Sequence, residues 1–243
     1  MSKPYIIIQA RMTSTRLPKK VLLPLCDKTV LEIMINRLKD FKDNIIIATT
    51  NDGSQKPIVD LCEKLNLKYY EGDTNNVLSR YYEAALKYGL KDEDIIVRCT
   101  SDCPLIDYEV TKNTIEFFKE QNVDYVSSGS HCGFPRGMDT EVFRFKLLRS
   151  AFINAKTDYE KEHVTPYIHT SKKDELNIKY YENKEDDSRY RLTLDEEDDY
   201  KTIVEVYKKF DNSLEFSYSE LIKMLKENEY IYELNAHVEQ KKK

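Results

Sequence analysis

Apolar, strand-like runs alternate with amphipathic, helix-like segments along this chain, and this alternation constrains the fold more than any other feature. The first run, residues 6–10, is apolar enough to form a central strand that is buried on both faces. A second strongly apolar run spans residues 94–100. Strands that alternate with helices favour a mainly parallel central sheet flanked by helices, so we predict a Rossmann-like α/β fold.

Further elements follow from hydrophobic periodicity and from helix-start signals. The other predicted strands are residues 44–49, 68–71, 124–128, 177–181 and 190–194. The predicted helices include residues 29–41, 55–65, 75–87 and 107–121. Capping boxes are predicted at Thr29 and Glu32, at Thr157 and Glu160, and at Ser217 and Glu220.

The chain shows no internal repeat and no long linker, and its 243 residues are enough for a substantial core. We therefore expect one domain over residues 1–211, followed by a C-terminal helical extension over residues 212–243 that ends in three lysines. A hydrophobic content of 40% with 33% charged residues is typical of a soluble globular protein.

Charge and composition argue against several classes of function. A net charge of −5 and a pI near 5.6 argue against nucleic-acid binding, which usually requires a basic surface. Nothing resembles a signal peptide or a transmembrane span, so we expect a cytoplasmic protein without a membrane partner. The five cysteines are an odd number without a CxxC pair, which favours reduced thiols over a zinc site.

The segment that follows the first strand carries a dense set of hydrogen-bond donors. It contains four cations and three hydroxyl groups, from Arg11, Arg16, Lys19, Lys20, Thr13, Ser14 and Thr15. Charge-assisted hydrogen bonds and loop amides of this kind suit a polyphosphate ligand. The loop lacks glycine, so it is neither a Walker loop nor a dinucleotide fingerprint. A solvated basic turn is the alternative interpretation.

Asp102 is a candidate ligand-binding carboxylate, since it comes directly after the predicted strand of residues 94–100. Open α/β sheets bind ligands beyond the carboxyl ends of their strands. An Asx turn before Pro104 is the alternative. The acidic run from Asp195 to Asp199 is also ambiguous, because a helix dipole favours negative charge at the first turn.

Residues 128–143 have the composition of a binding loop, with three of the six glycines, a proline and several polar side chains. Asp139 and Glu141 lie at its end and alternate with apolar neighbours. The same alternation is typical of the solvent-facing side of a strand. The residues alone leave both interpretations open.

The order Arg-x-x-Ser-x-Arg-x-Pro-x-Lys, straight after the first strand, resembles the signature of the cytidylyltransferase family, which includes the enzymes that make CMP-Kdo and CMP-sialic acids. The closer match is the branch named for spore coat polysaccharide biosynthesis protein F, and it runs through nearly the whole chain. It implies a nucleotidyltransferase (GT-A-like) fold. The implied nucleotide-binding residues are Gln9, Ala10, Arg11, Ser14, Thr15, Arg16, Lys20, Arg80, Thr100 and Asp102.

The resemblance also implies a magnesium site. Residues 101–106 are similar to the family segment Gly-Asp-x-Pro-Leu-Ile, whose aspartate binds the catalytic Mg²⁺, so Asp102 takes that role. Residues 191–199 fit the pattern Arg-x-Thr-x-Asp-x-x-x-Asp, which makes Asp195 the second ligand. The implied catalytic set is Arg11, Arg16, Lys20 and Asp102.

Residues 135–143 and 162–168 resemble family segments near the second substrate. The implied substrate-binding residues are Gly137, Asp139, Glu141, Glu162, His163, Thr165 and Tyr167. His163 beside Glu162 lacks HExxH spacing, so a hydrogen bond to substrate is favoured over a metal ligand, with structural packing as the alternative. The resemblance also suggests a homodimer, which no sequence feature demonstrates.

The implied reaction is nucleotidyl transfer from a nucleoside triphosphate to a sugar acid, nonulosonic or Kdo-like, or to a sugar phosphate, for surface polysaccharide or glycan synthesis. CTP is the favoured nucleotide, although Thr100 stands where the CMP-Kdo enzymes carry glutamine. One alternative is a nucleotide-sugar-dependent glycosyltransferase, against which the run Asp102-Cys103-Pro104 counts because it is not Asp-x-Asp. The other is a non-catalytic nucleotide-binding protein of a polysaccharide cluster.

Overall fold

A computed structural model describes residues 4–240. Its strands are β1 (Tyr5–Gln9), β2 (Pro24–Leu25), β3 (Lys28–Thr29), β4 (Ile45–Thr50), β5 (Lys68–Gly72), β6 (Ile95–Thr100), β7 (Tyr125–Ser128), β8 (Thr140–Arg144) and β9 (Ile178–Tyr180). Its α-helices are α1 (Val30–Arg37), α2 (Lys56–Lys64), α3 (Val77–Lys87), α4 (Tyr108–Gln121), α5 (Phe145–Asn154), α6 (Asp158–His163), α7 (Glu197–Lys209), α8 (Tyr218–Glu227) and α9 (Glu229–Glu233).

The main sheet confirms the predicted α/β fold. Within residues 4–240 it has seven strands in the order β5-β4-β1-β6-β8-β7-β9. Strands β5, β4, β1 and β6 run parallel to one another, while β8 is antiparallel to both of its neighbours. Strand β9 is parallel to β7. Because the parallel half has its carboxyl ends at one edge, the loops after β1 and β6 meet there.

The central strand is buried on both faces, as its sequence predicts. Ile6 and Ile8 pack into a cluster with side chains of α1, α2 and α4. Ile7 points to the opposite face and packs with side chains of α3 and α5. All three isoleucines are fully buried, and the alternation follows from the two-residue period of a strand.

The C-terminal segment packs against the rest of the chain through a further cluster that includes Tyr207, Phe216 and Leu221. Arg37 on α1 ties it down by donating to the carbonyl oxygens of Leu214 (2.9 Å) and Phe216 (3.2 Å). The domain boundary after residue 211 stays a prediction, and the three terminal lysines lie outside the described residues. No helix of residues 4–240 is both long and apolar enough to cross a membrane.

Two predictions from periodicity were wrong. The first helix ends at Arg37 and is followed by a 3₁₀ segment (Lys39–Asn44), rather than continuing to residue 41. Residues 190–194 form no strand and make only an isolated bridge between Arg136 and Arg191. Their apolar side chains are nevertheless buried, because the segment crosses the carboxyl edge of the sheet instead of joining it. Capping boxes form at Thr157 and at Ser217 as predicted, whereas at Thr29 only half of the predicted box is present, the hydrogen bond from the Glu32 N–H to the Thr29 hydroxyl.

Candidate active site

Three segments meet beyond the carboxyl ends of β1 and β6. The basic loop of residues 11–20 leaves β1, and the Asp102 loop leaves β6. The crossing segment before α7 joins them, because the Leu194 N–H donates to the Asp102 carbonyl oxygen at 2.7 Å. This hydrogen bond places Asp195 beside Asp102, although the two residues are far apart in sequence.

Lys20 lies between the two predicted metal-binding carboxylates. Its Nζ is 2.9 Å from Asp102 Oδ2 and 2.9 Å from Asp195 Oδ1. The same ammonium donates to the Leu194 carbonyl oxygen at 2.8 Å. The three oxygens thus converge on one position that holds a positive charge.

Electrostatics within this group favour its charged form. Burial alone would raise the pKa of Asp102, but the Lys20 ammonium and hydrogen bonds from Thr100 and Lys20 lower that pKa to about 2. Burial would lower the pKa of Lys20, yet the two carboxylates outweigh it and raise that pKa. Both directions describe an ion pair that is ionised at neutral pH.

Asp195 is held from two further sides. Arg16 Nη2 lies 2.9 Å from Asp195 Oδ1, and Arg191 Nη2 lies 3.2 Å from Asp195 Oδ2. Arg191 is fixed in turn by Asp199, whose Oδ1 accepts from Arg191 Nε at 2.8 Å. Asp199 also accepts from the backbone N–H groups of Asp195 and Glu196, and the second of these bonds is half of the capping box that starts α7 at Glu196. These bonds preorganise the Asp195 carboxylate.

The donor set fits magnesium. Mg²⁺ is usually held by one or two carboxylates, with its other ligands supplied by substrate phosphates and water. Asp102 and Asp195 supply two carboxylates that already share one cation position. Across residues 4–240 no group of three or more His, Cys, Asp or Glu side chains could hold a metal ion. A purely protein-ligated site, such as a structural zinc site, is therefore not built into this part of the chain.

The rest of the basic loop is more open. Arg11, Thr15 and Lys19 are exposed, whereas Ala10 is buried and donates its N–H to the Ala48 carbonyl oxygen at 3.1 Å. Ser14 Oγ accepts from the Leu17 N–H at 3.4 Å, which shapes the turn. Lys19 has a φ of 59°, in the left-handed region where glycine is unstrained.

Arg80 is a buried cation with uncommitted donors. It is only 1% exposed, and its Nε and Nη1 find no hydrogen-bond partner within residues 4–240. Burial lowers its pKa, and the nearby positive charge of Arg11 lowers it further. Leaving buried N–H donors without hydrogen bonds costs free energy. Arg80 and Arg11 together are therefore suited to bind an anion or the carbonyl oxygens of a ligand. Arginine side chains on helices are usually exposed to solvent, but that of Arg80 is not.

On the neighbouring strands, Glu141 belongs to a buried polar network. It accepts hydrogen bonds from Thr165 Oγ1 (2.6 Å) and from the Tyr125 hydroxyl, and it pairs with Arg98. Arg98 also donates weakly to Gln9 Oε1 at 3.4 Å. Arg98 is not among the residues predicted from the sequence, although a cation inside the apolar run of β6 is a signal that could have identified it.

The other residues predicted to bind the second substrate are more scattered. Glu162 is exposed, and the ring of His163 lies 4.7 Å from that of Tyr159. Tyr167 is buried in the apolar cluster that covers α3 and α5. Gly137 and Asp139 lie just before β8 and are joined by a hydrogen bond, and Thr165 donates to Glu141 on β8. Tyr167 contributes packing.

The sheet is mixed, a basic loop follows its first strand, and two carboxylates lie beside that loop. This is the arrangement of a nucleotidyltransferase. Comparison with known proteins gives the family. A model of the family described as cytidylyltransferase matches residues 5–242, nearly the whole chain. The chain belongs to the cytidylyltransferase family, and the protein is a nucleotidyltransferase.

Individual relatives agree with this assignment. An uncharacterized protein of Methanocaldococcus jannaschii is 39% identical over 97% of this chain and 95% of its own length. The spore coat polysaccharide biosynthesis protein SpsF of Bacillus subtilis is 33% identical over 94% of this chain and 96% of its own length. A 3-deoxy-manno-octulosonate cytidylyltransferase of Francisella tularensis subsp. novicida is 34% identical, over 53% of this chain and 51% of that enzyme.

A solved structure confirms the fold. A cytidylyltransferase from Leptospira borgpetersenii serovar Hardjo-bovis superposes with a TM-score of 0.89 at 36% sequence identity. The match covers 96% of this chain and 97% of that one. The sheet, the flanking helices and the C-terminal segment are therefore common to both proteins.

Proposed function

We propose that this protein transfers the cytidylyl group of CTP to a sugar acid, nonulosonic or Kdo-like, with release of pyrophosphate. A phosphorylated sugar is the second acceptor class, and the product would serve surface polysaccharide or glycan synthesis. The observation that carries the proposal is the convergence of Lys20 and Arg16 on the carboxylates of Asp102 and Asp195. In a metal-bound triphosphate the carboxylates would bind the metal ion and the cations would contact the phosphate groups.

In the proposed reaction an acceptor oxygen attacks the α-phosphate in line. The protein positions the two reactants and stabilises the charge that develops on the phosphates. Arg11, Arg16 and Lys20 would neutralise the leaving pyrophosphate. Asp102 and Asp195 would hold Mg²⁺, which neutralises phosphate charge when bound. Gln9, Ala10, Ser14, Thr15, Arg80 and Thr100 complete the proposed nucleotide site.

The acceptor class is supported by the relatives rather than by one contact. The Francisella enzyme is described as acting on 3-deoxy-manno-octulosonate, and the Bacillus protein is described by a role in spore coat polysaccharide synthesis. A 2-keto-3-deoxy sugar acid is therefore our first choice. We place the reaction in the cytoplasm, where nucleoside triphosphates are available, and we propose a homodimer on the family resemblance.

The function is tested by pyrophosphate release with Mg²⁺, each of the four nucleoside triphosphates, and a panel of sugar acids and sugar phosphates. We expect release with CTP and a sugar acid, and little with the other nucleotides. Release with a different nucleotide would replace CTP, and release with sugar phosphates alone would replace the acceptor class. A protein that neither binds CTP in calorimetry nor releases pyrophosphate would contradict the proposal.

The position of Lys20 gives a prediction about metal binding without nucleotide. Because its ammonium shares both carboxylates with the proposed cation, the Lys20→Gln variant should bind Mn²⁺ more tightly than the wild type. We expect a gain of about tenfold or more, since a charge a few ångströms away in a partly buried site contributes more than 1 kcal/mol. Electron paramagnetic resonance of free Mn²⁺ measures the affinity of the nucleotide-free protein.

The matched control is Lys19→Gln, which removes the same charge from the neighbouring, exposed side chain. Lys19 makes no ion pair with either aspartate, so its removal should change Mn²⁺ affinity only slightly. Equal affinities of the Lys20→Gln variant and the wild type would show that Lys20 does not compete for the cation position.

A further inference from the structure

Asp139 is another carboxylate near the carboxyl end of β6, the edge of the sheet at which the candidate active site lies. It directly precedes β8, and the backbone of Gly129 lies against it. A Cβ atom on Gly129 would be 2.4 Å from Asp139 Oδ1, and Gly129 has a φ of +136°, which side chains rarely adopt. Glycine at residue 129 therefore makes room for the Asp139 carboxylate.

Gly137 supports Asp139 from the other side. Its N–H donates to Asp139 Oδ2 at 2.9 Å. A Cβ on Gly137 would be 2.6 Å from the Leu192 carbonyl oxygen, so glycine also allows close contact with the segment that leads to Asp195. Two glycines thus hold one carboxylate next to the segment that carries a proposed metal ligand.

Within residues 4–240 the Asp139 carboxylate forms no ion pair, although the charge of Arg136 acts on it. The Gly137 N–H is the one hydrogen bond that it accepts there, and Oδ1 accepts none. Burial raises its pKa, against the opposing effects of the Gly137 hydrogen bond and the Arg136 charge. The titratable groups that act on it or are acted on by it are Arg136, His131, Glu141, Cys99, Cys103 and Cys132.

The strand register brings Asp139 near the reaction centre. The pairing of β6 with β8 ends at Arg98 and Glu141, and extending the same register by two residues would set Asp139, just before β8, opposite Thr100 at the end of β6. Thr100 Oγ1 lies 3.4 Å from Cys103 Sγ, and Cys103 follows Asp102. Asp139 is not part of any three-residue metal-binding group in the described chain. Asp139 therefore lies at the edge of the sheet from which the Asp102 loop leaves β6, and Lys20 pairs with Asp102 and Asp195 rather than with Asp139.

We propose that Asp139 is the general base that accepts the proton of the attacking acceptor hydroxyl. This inference rests on the proposed function. The acceptor oxygen forms its bond to the α-phosphorus as its proton moves to an Asp139 carboxylate oxygen. The bond from the α-phosphorus to the bridging oxygen breaks, and the electron pair leaves with pyrophosphate, so atoms and charge balance.

Other carboxylates at this edge are committed elsewhere. Glu141 already accepts from Thr165 and Tyr125 and pairs with Arg98. Asp102 and Asp195 share the cation position. Asp139 combines an unoccupied acceptor oxygen with a fixed orientation, which is what a general base requires.

The test is the Asp139→Asn variant, because the asparagine carbonyl can still accept the Gly137 N–H and so preserve the loop. General-base catalysis typically contributes 10²- to 10⁴-fold, so kcat should fall by about that factor. The KM for CTP and the melting temperature should remain near their wild-type values. A base must be deprotonated, so wild-type kcat/KM should fall as pH drops below the raised pKa of Asp139, and the variant should lack this acidic limb.

Two results would overturn the inference while leaving the proposed function intact. One is an Asp139→Asn variant with wild-type kcat. The other is a slower variant that keeps the same acidic limb, which would make Asp139 a positioning residue. If the wild-type protein released no pyrophosphate with any nucleotide and acceptor of the panel, the proposed function itself would be contradicted, and the general-base role with it.

Discussion

Asp102→Asn and Asp195→Asn should each reduce Mg²⁺-dependent pyrophosphate release by on the order of 10³-fold or more. Each substitution removes one of two carboxylates that converge on a single cation position. Losing one preorganised electrostatic contact already costs roughly 10²- to 10³-fold in rate, and here the metal would be displaced as well. Steady-state turnover at saturating CTP, together with Mn²⁺ binding in the presence of CTP, measures the effect.

The matched control for Asp195→Asn is Asp198→Asn, three residues further along the chain. Asp198 is partly exposed and pairs with Lys201 and His237 rather than with the loop after β1. Its removal should leave turnover near the wild-type value. Circular dichroism should show that all three variants are folded. Wild-type turnover in either of the first two variants would remove that aspartate from the mechanism.

The fold could be predicted from the sequence because its signals are local. The run Ile6 to Ile8 is apolar on both faces of a strand, and the structure buries all three residues. Thr157 and Ser217 form the capping boxes that their sequence spacing indicates. Patterns of this kind depend only on residues that are close in sequence, so they can be recognised without knowledge of the tertiary structure.

Residues 190–194 show where local pattern fails. Tyr190, Leu192 and Leu194 are buried as a strand would require, yet the segment pairs only at Arg191 with Arg136. Its backbone instead contacts Gly137 and the Asp102 carbonyl oxygen. The alternating apolar residues therefore predicted correctly which side chains are buried but wrongly that the segment is a strand.

The candidate site was indicated by sequence only in part. The basic loop and Asp102 follow apolar strands, so the geometry of a parallel sheet predicts that they meet. The position of Lys20 between Asp102 and Asp195 depends on a crossing segment more than 170 residues away in sequence. The burial of Arg80 and the partners of Glu141 are likewise long-range contacts, which periodicity does not encode.

Asp199→Ala should destabilise the protein by about 3–5 kcal/mol, the range for breaking a buried ion pair by removing one partner. Asp199 is fully buried and accepts from Arg191 Nε at 2.8 Å, from Asn235 Nδ2 at 2.9 Å and from the Asp195 N–H at 2.9 Å. Alanine would leave the Arg191 guanidinium without its main partner and would remove the Asp199 half of the capping box at the start of α7. Urea unfolding followed by circular dichroism measures the loss, with Asp198→Ala at the neighbouring, partly exposed aspartate as a control that should unfold near the wild-type midpoint. If the two variants unfold at the same urea concentration, the Asp199 hydrogen bonds do not stabilise the start of α7 and the position of the Asp195 carboxylate. If only Asp199→Ala unfolds at a lower urea concentration, the bonds that orient Asp195 also stabilise the fold.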